Sequence, residues 1–242
     1  MTSRSTLPTS VRLLAALAFA VPAAAQAQAY QCRVPESLSQ PPPVRADGPA
    51  FRTRIGGYTL ALSWSPEYCR SHRSDPASAV QCGGGAGRFG FIVHGLWPEA
   101  AKGRPPQWCA TTPRPSLPAL RSNLCMTPSP ALLEHEWAKH GSCMASNPEG
   151  YYRVAATLWQ SLQFPDMDRL SRNEALTAGD LRKELVTLNR GWRADAVGLL
   201  VNERGWLQEV RLCYDRKFMP SACPRSLFGP ADQTGLKIWR GL

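Results

Sequence analysis

Apolar and polar positions alternate over residues 58–64, with Tyr58, Leu60, Leu62 and Trp64 on one side and Thr59, Ala61 and Ser63 on the other. A period of two predicts a half-buried β-strand. Residues 89–93 are rich in strand formers and lead into His94-Gly95, and Pro98 is expected to stop the run. The pattern turns helical over ALLEHEWAKH (131–140), with Ser129 placed as N-cap, Pro130 at the first helical position and Gly141 past the end. Residues 151–162 and 180–188 predict further helices, the second capped by Asp180 and ending near Gly191. Residues 196–201 and 206–214, joined by Asn202-Glu203-Arg204-Gly205, predict a β-hairpin. Residues 35–50 are Pro-rich and unpatterned, an extended lead-in rather than core. Residues 69–87 predict a polar, Gly-rich loop closed by a Cys69–Cys82 disulfide, and residues 104–130 an irregular, disulfide-tied stretch. Strands and helices do not alternate regularly and no repeat occurs. The expected fold is therefore α+β: one domain with a central antiparallel sheet flanked by helices and stapled by disulfides.

The first residues stand apart. Arg4 and Arg12 precede nine apolar residues, 13–21, and the small-residue stretch 23–29 offers A-x-A cleavage frames. Such a run is too short to span a bilayer, and the order of parts predicts a secretory signal peptide over 1–27, leaving a domain over 28–242. Eight cysteines, all downstream of the leader, fit export as up to four disulfides. The expected location is periplasmic or extracellular, with no membrane attachment after cleavage and a monomeric state. No C-x-x-C is present, which argues against a zinc ribbon or a thioredoxin-type site. Lys and Arg number 28 against 18 Asp and Glu; without Arg4 and Arg12 the net charge is +8. A basic surface attracts polyanions but does not by itself name one.

Of four histidines, three lie in two short motifs, Phe91-Ile-Val-His94-Gly95-Leu96-Trp97-Pro98 and His135-Glu136-Trp137-Ala138-Lys139-His140. In the first, a strand end is expected to deliver His94, Gly95 to leave it uncrowded, and Trp97 to offer a flat apolar surface. In the second, the histidines are five apart, whereas zinc proteases place theirs four apart on one helix face. At that spacing the rings diverge by about 140°, poor geometry for a shared metal. Glu136 and His140 are instead i,i+4 neighbours, as are His135 and Lys139. Imidazoles titrate near neutrality, so one ring can be neutral while another is charged. Lys139 and a protonated His135 suit phosphate oxygens. With no Gly-rich phosphate loop and no G-x-S-x-G, the inventory fits acid–base work on a phosphodiester better than metal or serine chemistry. His72, outside both motifs, reads as a surface histidine.

FIVHGLWP and EHEWAKHGSC resemble the two active-site segments of the ribonuclease T2 family, the acid ribonucleases of fungi, plants and bacteria. LALSWSPEYC is similar to that family's first core strand in its bacterial periplasmic branch, and Cys213…Cys223-Pro224 to its C-terminal disulfide hairpin. The resemblance implies an endoribonuclease that cleaves single-stranded RNA by attack of the 2′-hydroxyl, without metal or cofactor and with low base specificity. It leaves 2′,3′-cyclic phosphate and then 3′-phosphate ends. It assigns His140 as base, His94 as acid, His135 to phosphate binding, Glu136 and Lys139 to the pentacoordinate intermediate, and Trp97 to the base. It also implies Cys109–Cys143 and Cys213–Cys223 disulfides and leaves Cys32 and Cys125 unassigned. Ser63, where the family usually carries Gln, and Glu99, two after Trp97, depart from its pattern near the base pockets, so base preference stays open. An alternative is a catalytically idle T2 fold that binds RNA or a partner. The intact set of His94, His135, Glu136, Lys139 and His140 argues against it, since a pure binder needs no acid and base together.

Overall fold

The computed structural model describes Met1 and residues 29–110 and 112–241, so the expected signal peptide lies, apart from Met1, outside the described residues. The chain runs β1 (Ala29–Cys32), β2 (Ile55–Trp64), α1 (Ser65–His72), α2 (Ala79–Cys82), β3 (Gly87–Phe89), β4 (Phe91–Ala100), α3 (Leu117–Asn123), α4 (Pro130–Lys139), α5 (Pro148–Gln160), α6 (Met167–Ser171), α7 (Ala178–Leu188), β5 (Val197–Val201), β6 (Leu207–Asp215) and α8 (Arg225–Phe228). The main sheet is antiparallel with strand order β4-β2-β6-β5, and β1 pairs β3 in a separate ribbon. Sheet residues such as Leu60, Leu62 and Leu212 share one core with Leu133 and Trp137 of α4, Tyr151 of α5 and Leu181 of α7. This is the expected α+β architecture.

The pattern misjudged β2. Thr59, Leu60, Ala61 and Leu62 are all wholly buried: the small side chains of the second face lie beside Trp97, Cys213 and Arg211 of the flanking strands, and Thr59 Oγ1 is bonded to Glu99. Strand β4 likewise does not stop at His94 or Pro98. Pro98 sits opposite Tyr58 inside the strand, tolerated because β4 is an edge with no partner awaiting its missing N–H.

Two stretches without a visible period contain helix. Residues 69–87 hold the end of α1, a short 3₁₀ turn capped by Asp75, and α2, with the Cys69–Cys82 disulfide tying the two helices together. Within 104–130, Ser116 caps α3 by accepting from the Ala119 N–H. Seven residues are too few to establish a period. Helix α7 begins two residues earlier than expected. Thr177 is its N-cap, and Asp180 is the reciprocal partner of a capping box.

Helix α4 starts where its signals place it, with Ser129 Oγ accepting from the Leu132 N–H and Pro130 in the first turn. Disulfides join Cys69–Cys82, Cys109–Cys143, Cys213–Cys223 and Cys32–Cys125; the last closes 93 residues of chain. The Pro-rich lead-in has no regular structure but is docked: Arg114 Nη2 donates to the Pro41 carbonyl at 2.6 Å and Gln40 Nε2 to the Pro115 carbonyl at 3.0 Å. Among the described residues no helix is long and apolar enough to cross a membrane.

Candidate active site

Strand β4 brings His94 into the site through an irregularity. Ala61 pairs with Gly95 and Leu62 with Val93, so His94 is the extra residue of a β-bulge, a device that re-aims a side chain. The bulge is braced from outside the sheet: the Val93 N–H donates to the Met126 carbonyl, and Thr127 Oγ1 to the Val93 carbonyl at 2.7 Å. Gly95 matters to the site beyond its neighbour His94. A Cβ there would lie 2.0 Å from Glu136 Oε2 and 2.6 Å from Trp97 Nε1, so glycine makes room for the contact between those two side chains.

Helix α4 supplies the other half. It ends at Lys139, and His140 leaves the helix as its C-cap, its N–H still bonded to the Glu136 carbonyl. Gly141 follows as expected, but the reason is packing, not a left-handed backbone. A Cβ at Gly141 would lie 2.6 Å from the Tyr151 ring and 2.7 Å from that of Trp137.

The two motifs meet at Trp97, whose ring centroid is 5.2 Å from that of His94 and 5.7 Å from that of His140. Trp97 Nε1 donates to Glu136 Oε2 at 2.7 Å, and the other oxygen of Glu136 lies 3.6 Å from His94 Nε2. Glu136 thus faces His94 and Trp97, not its helical neighbour His140. His135 and Lys139 flank a second indole, that of Trp108, at 5.4 and 5.8 Å. The six expected site residues therefore fall into two groups, one on each indole, joined through α4 and by the charges of Lys139 and His135 that reach His140.

Four further residues complete it. Glu209 of β6 accepts a hydrogen bond from His94 Nδ1 at 2.8 Å and is itself held by Arg211 Nε at 2.7 Å. Asp47, from the Pro-rich lead-in, accepts from Lys139 Nζ at 2.7 Å and from Trp108 Nε1 at 3.0 Å. Trp108 holds a positive φ of 54°, costly for a bulky side chain, with its N–H on the Lys139 carbonyl at 2.7 Å. In the sequence, Glu209 and Arg211 were visible only as opposite charges two apart in the strand. Asp47 and Trp108 gave no signal. Of the two departures from pattern, Glu99 is fixed by Thr59 Oγ1 at 2.7 Å, and Ser63 borders a groove that opens at His94.

The electrostatics set the two histidines apart. Burial opposes a charged His94, but the Glu209 hydrogen bond and the carboxylates of Glu136 and Glu209 outweigh it and hold the imidazolium above its usual range. Burial, followed by the positive charges of Lys139, His135 and His94, pushes His140 down to about 3. Its Nδ1 is buried with no hydrogen-bond partner among the described residues, so nothing there steadies a second proton. Burial pushes Glu136 up to about 7 against the pull of His94, Trp97 and Lys139. His135 is lowered by burial and by Lys139. Among the described residues no three His, Cys, Asp or Glu side chains gather as a metal-binding group.

Fold and site together define an α+β protein in which two imidazoles, one biased toward its charged form and one toward its neutral form, lie beside a shared indole. The family model "Ribonuclease T2 family" matches residues 55–180, slightly more than half the chain, and the chain belongs to that family. It is 33% identical over 190 residues to a "Probable ribonuclease" of Haemophilus influenzae, covering 73% of this chain and 64% of that one. It is 31% identical over 195 residues to "Ribonuclease Oy" of Magallana gigas, covering 69% and 86%. The chain thus spans just under two thirds of the bacterial relative's length. Among solved structures, RNase NT in complex with 5′-AMP superposes with a TM-score of 0.58 at 22% identity, over 77% of this chain and 98% of that one, a likeness of fold.

Proposed function

We propose that the protein is an endoribonuclease that cleaves single-stranded RNA through its substrate's own 2′-hydroxyl. The observation that carries this reading is the opposite bias of two histidines on either side of Trp97: His94 is held charged and His140 neutral. An acid and a base in one site are what transphosphorylation needs. Neutral His140 takes the 2′-hydroxyl proton, the 2′-oxygen attacks phosphorus, and the 5′-oxygen of the next nucleotide leaves with a proton from His94. Glu209 can only accept, so it occupies Nδ1–H of His94 and leaves Nε2–H to be given away. The products are a 2′,3′-cyclic phosphate and a free 5′-hydroxyl. Water then opens the ring to a 3′-phosphate with the two histidines in reversed roles.

Charge on the phosphoryl oxygens falls to Lys139 and His135. The Lys139 ammonium has three donors, so the one on Asp47 leaves others for phosphate. Raised to about 7, Glu136 is largely protonated on the acid side of neutrality, where it can donate to a phosphoryl oxygen and, with Lys139, steady the pentacoordinate intermediate. Trp97 offers its ring to the base. No step calls for a metal or cofactor. We further read residues 1–27 as a signal peptide cut after Ala27 and 28–242 as the exported, monomeric domain, in keeping with four disulfides in a chain with no free cysteine among the described residues.

A comparison of nucleic acids tests the reading directly. Single-stranded RNA should be cut, while DNA of the same sequence, which has no 2′-hydroxyl, should survive. Cleavage of both at similar rates would exclude a substrate-supplied nucleophile.

A further inference from the structure

A groove of about 510 Å³ opens at His94 and runs away from the rest of the site; His135, Lys139 and His140 do not border it. Its walls include Tyr68, Arg70, His72, Asn202 and Arg204. Its two carboxylates are already engaged. Glu67 is paired with Arg70 at 3.0 Å and accepts from Asn202, while Glu209 is held by His94 and Arg211. Arg204 is different. It is exposed in the turn between β5 and β6, and its guanidinium has no hydrogen bond or ion pair among the described residues. The groove therefore carries a net positive charge at the end remote from His94.

Its other walls suit a nucleobase and a fixed phosphate. The rings of Tyr68 and His72 stack at 4.0 Å and 5°, and His72 Nδ1 is bonded to the Tyr68 carbonyl at 2.7 Å, which holds the pair in place. His72 is thus half-buried and ordered, more than the free surface histidine that its isolation in the sequence suggested. Arg70 lies over the rings of Trp206 at 5.1 Å and Trp239 at 4.4 Å, so its guanidinium is positioned before any ligand arrives. Arg70 also borders a second cavity of about 770 Å³, with Arg73, Arg88 and Arg240 and with no Asp or Glu in its lining. The path from His94 past Arg70 leads from a mixed surface to a cationic one.

Direction follows from the chemistry. The proton of His94 goes to the 5′-oxygen of the nucleotide that departs, so a strand leaving past His94 is the strand 3′ of the cut. We propose that this groove and the cavity beyond it bind single-stranded RNA downstream of the scissile phosphate, with Arg204 and Arg70 on phosphates and the Tyr68–His72 pair under a base. The inference rests on the ribonuclease reading and extends it from a dinucleotide to a polymer.

Three substrates with one ribonucleotide at the cut and deoxynucleotides elsewhere test it: a dinucleotide, the same with four nucleotides added 3′, and the same with four added 5′. With the full chain, the 3′ extension should raise kcat/KM by at least ~5-fold, the lower end of the gain from stacking one base on an aromatic face. The 5′ extension should raise it much less. Arg204→Ala should remove most of the 3′ gain and flatten the salt dependence by about one phosphate contact. It should leave the dinucleotide, which does not reach Arg204, unchanged. His72→Ala should cut the 3′ gain without altering the salt slope. Equal gains from both extensions, or an Arg204→Ala loss equal on all three substrates, would overturn the downstream track while leaving the ribonuclease reading intact. A wild-type chain that cuts none of the three would overturn both.

Discussion

Replacing His140 or His94 with phenylalanine is expected to lower kcat by at least ~10²–10⁴-fold, the usual cost of losing a general base or acid. Each variant should keep the fold. His140 is the C-cap of α4 and its ring Nδ1 has no hydrogen-bond partner among the described residues, while His94 is the extra residue of a bulge braced by Met126 and Thr127 backbone and hydroxyl contacts. His135→Phe should differ in kind. It borders Trp108 beside Lys139 and not Trp97, so the loss should appear mainly as a raised KM, with a smaller fall in kcat. Steady-state kinetics on a dinucleotide separate the cases. A His140 variant with near-wild-type turnover would refute the assignment of the pair.

The second large effect is on pH dependence. The active form needs His140 neutral and His94 charged, so the profile of kcat/KM should be a bell. His140 is pushed down to about 3 and is neutral at any pH well above that, which places the acid limb low. His94 is raised, so it keeps its proton to a pH above its ordinary value, and activity is lost as pH climbs through that range. The optimum should therefore fall on the acid side of neutrality. Glu209→Gln removes the hydrogen-bonded carboxylate that holds the charge on His94, so the alkaline limb should move to lower pH while the acid limb stays. A Glu209→Gln profile that superposes on wild type would show that Glu209 does not set the protonation of His94. A wild-type profile flat from acid through alkaline pH would remove the two-histidine mechanism altogether.

The convergence of His94, Trp97, Glu136 and His140 was implied by the resemblance of two short segments to one family's active site, and each half is legible because it lies within one of those segments. Local chemistry also marked its setting: Ser129 and Pro130 open α4, and the Asn202–Gly205 turn joins β5 to β6. What stayed hidden depends on pairing at a distance. Glu209 reaches His94 across 115 residues and Asp47 reaches Lys139 across 92, and no period or cap encodes such a meeting. Asp47 was further masked by its setting, since a Pro-rich lead-in reads as solvent-exposed spacer even when Arg114 and Trp108 pin it down. Thr59, Ala61 and Ser63 misled in another way. Small and polar residues on alternate positions look like a wet face, yet here larger side chains of the flanking strands, Trp97 and Arg211 among them, lie over Thr59 and Ala61. The bulge at His94 was invisible because it is defined by the register of the partner strand, not by its own residues.

The central claim is that the nucleophile belongs to the substrate and that protons, not a metal, are moved by the enzyme. Single-stranded RNA incubated with the protein in EDTA, quenched early and analysed by mass, decides it. The account predicts fragments ending in 2′,3′-cyclic phosphate with free 5′-hydroxyls, converting later to 3′-phosphates. Fragments carrying 5′-phosphates, or loss of activity in the chelator, would mean a metal-activated water and contradict it.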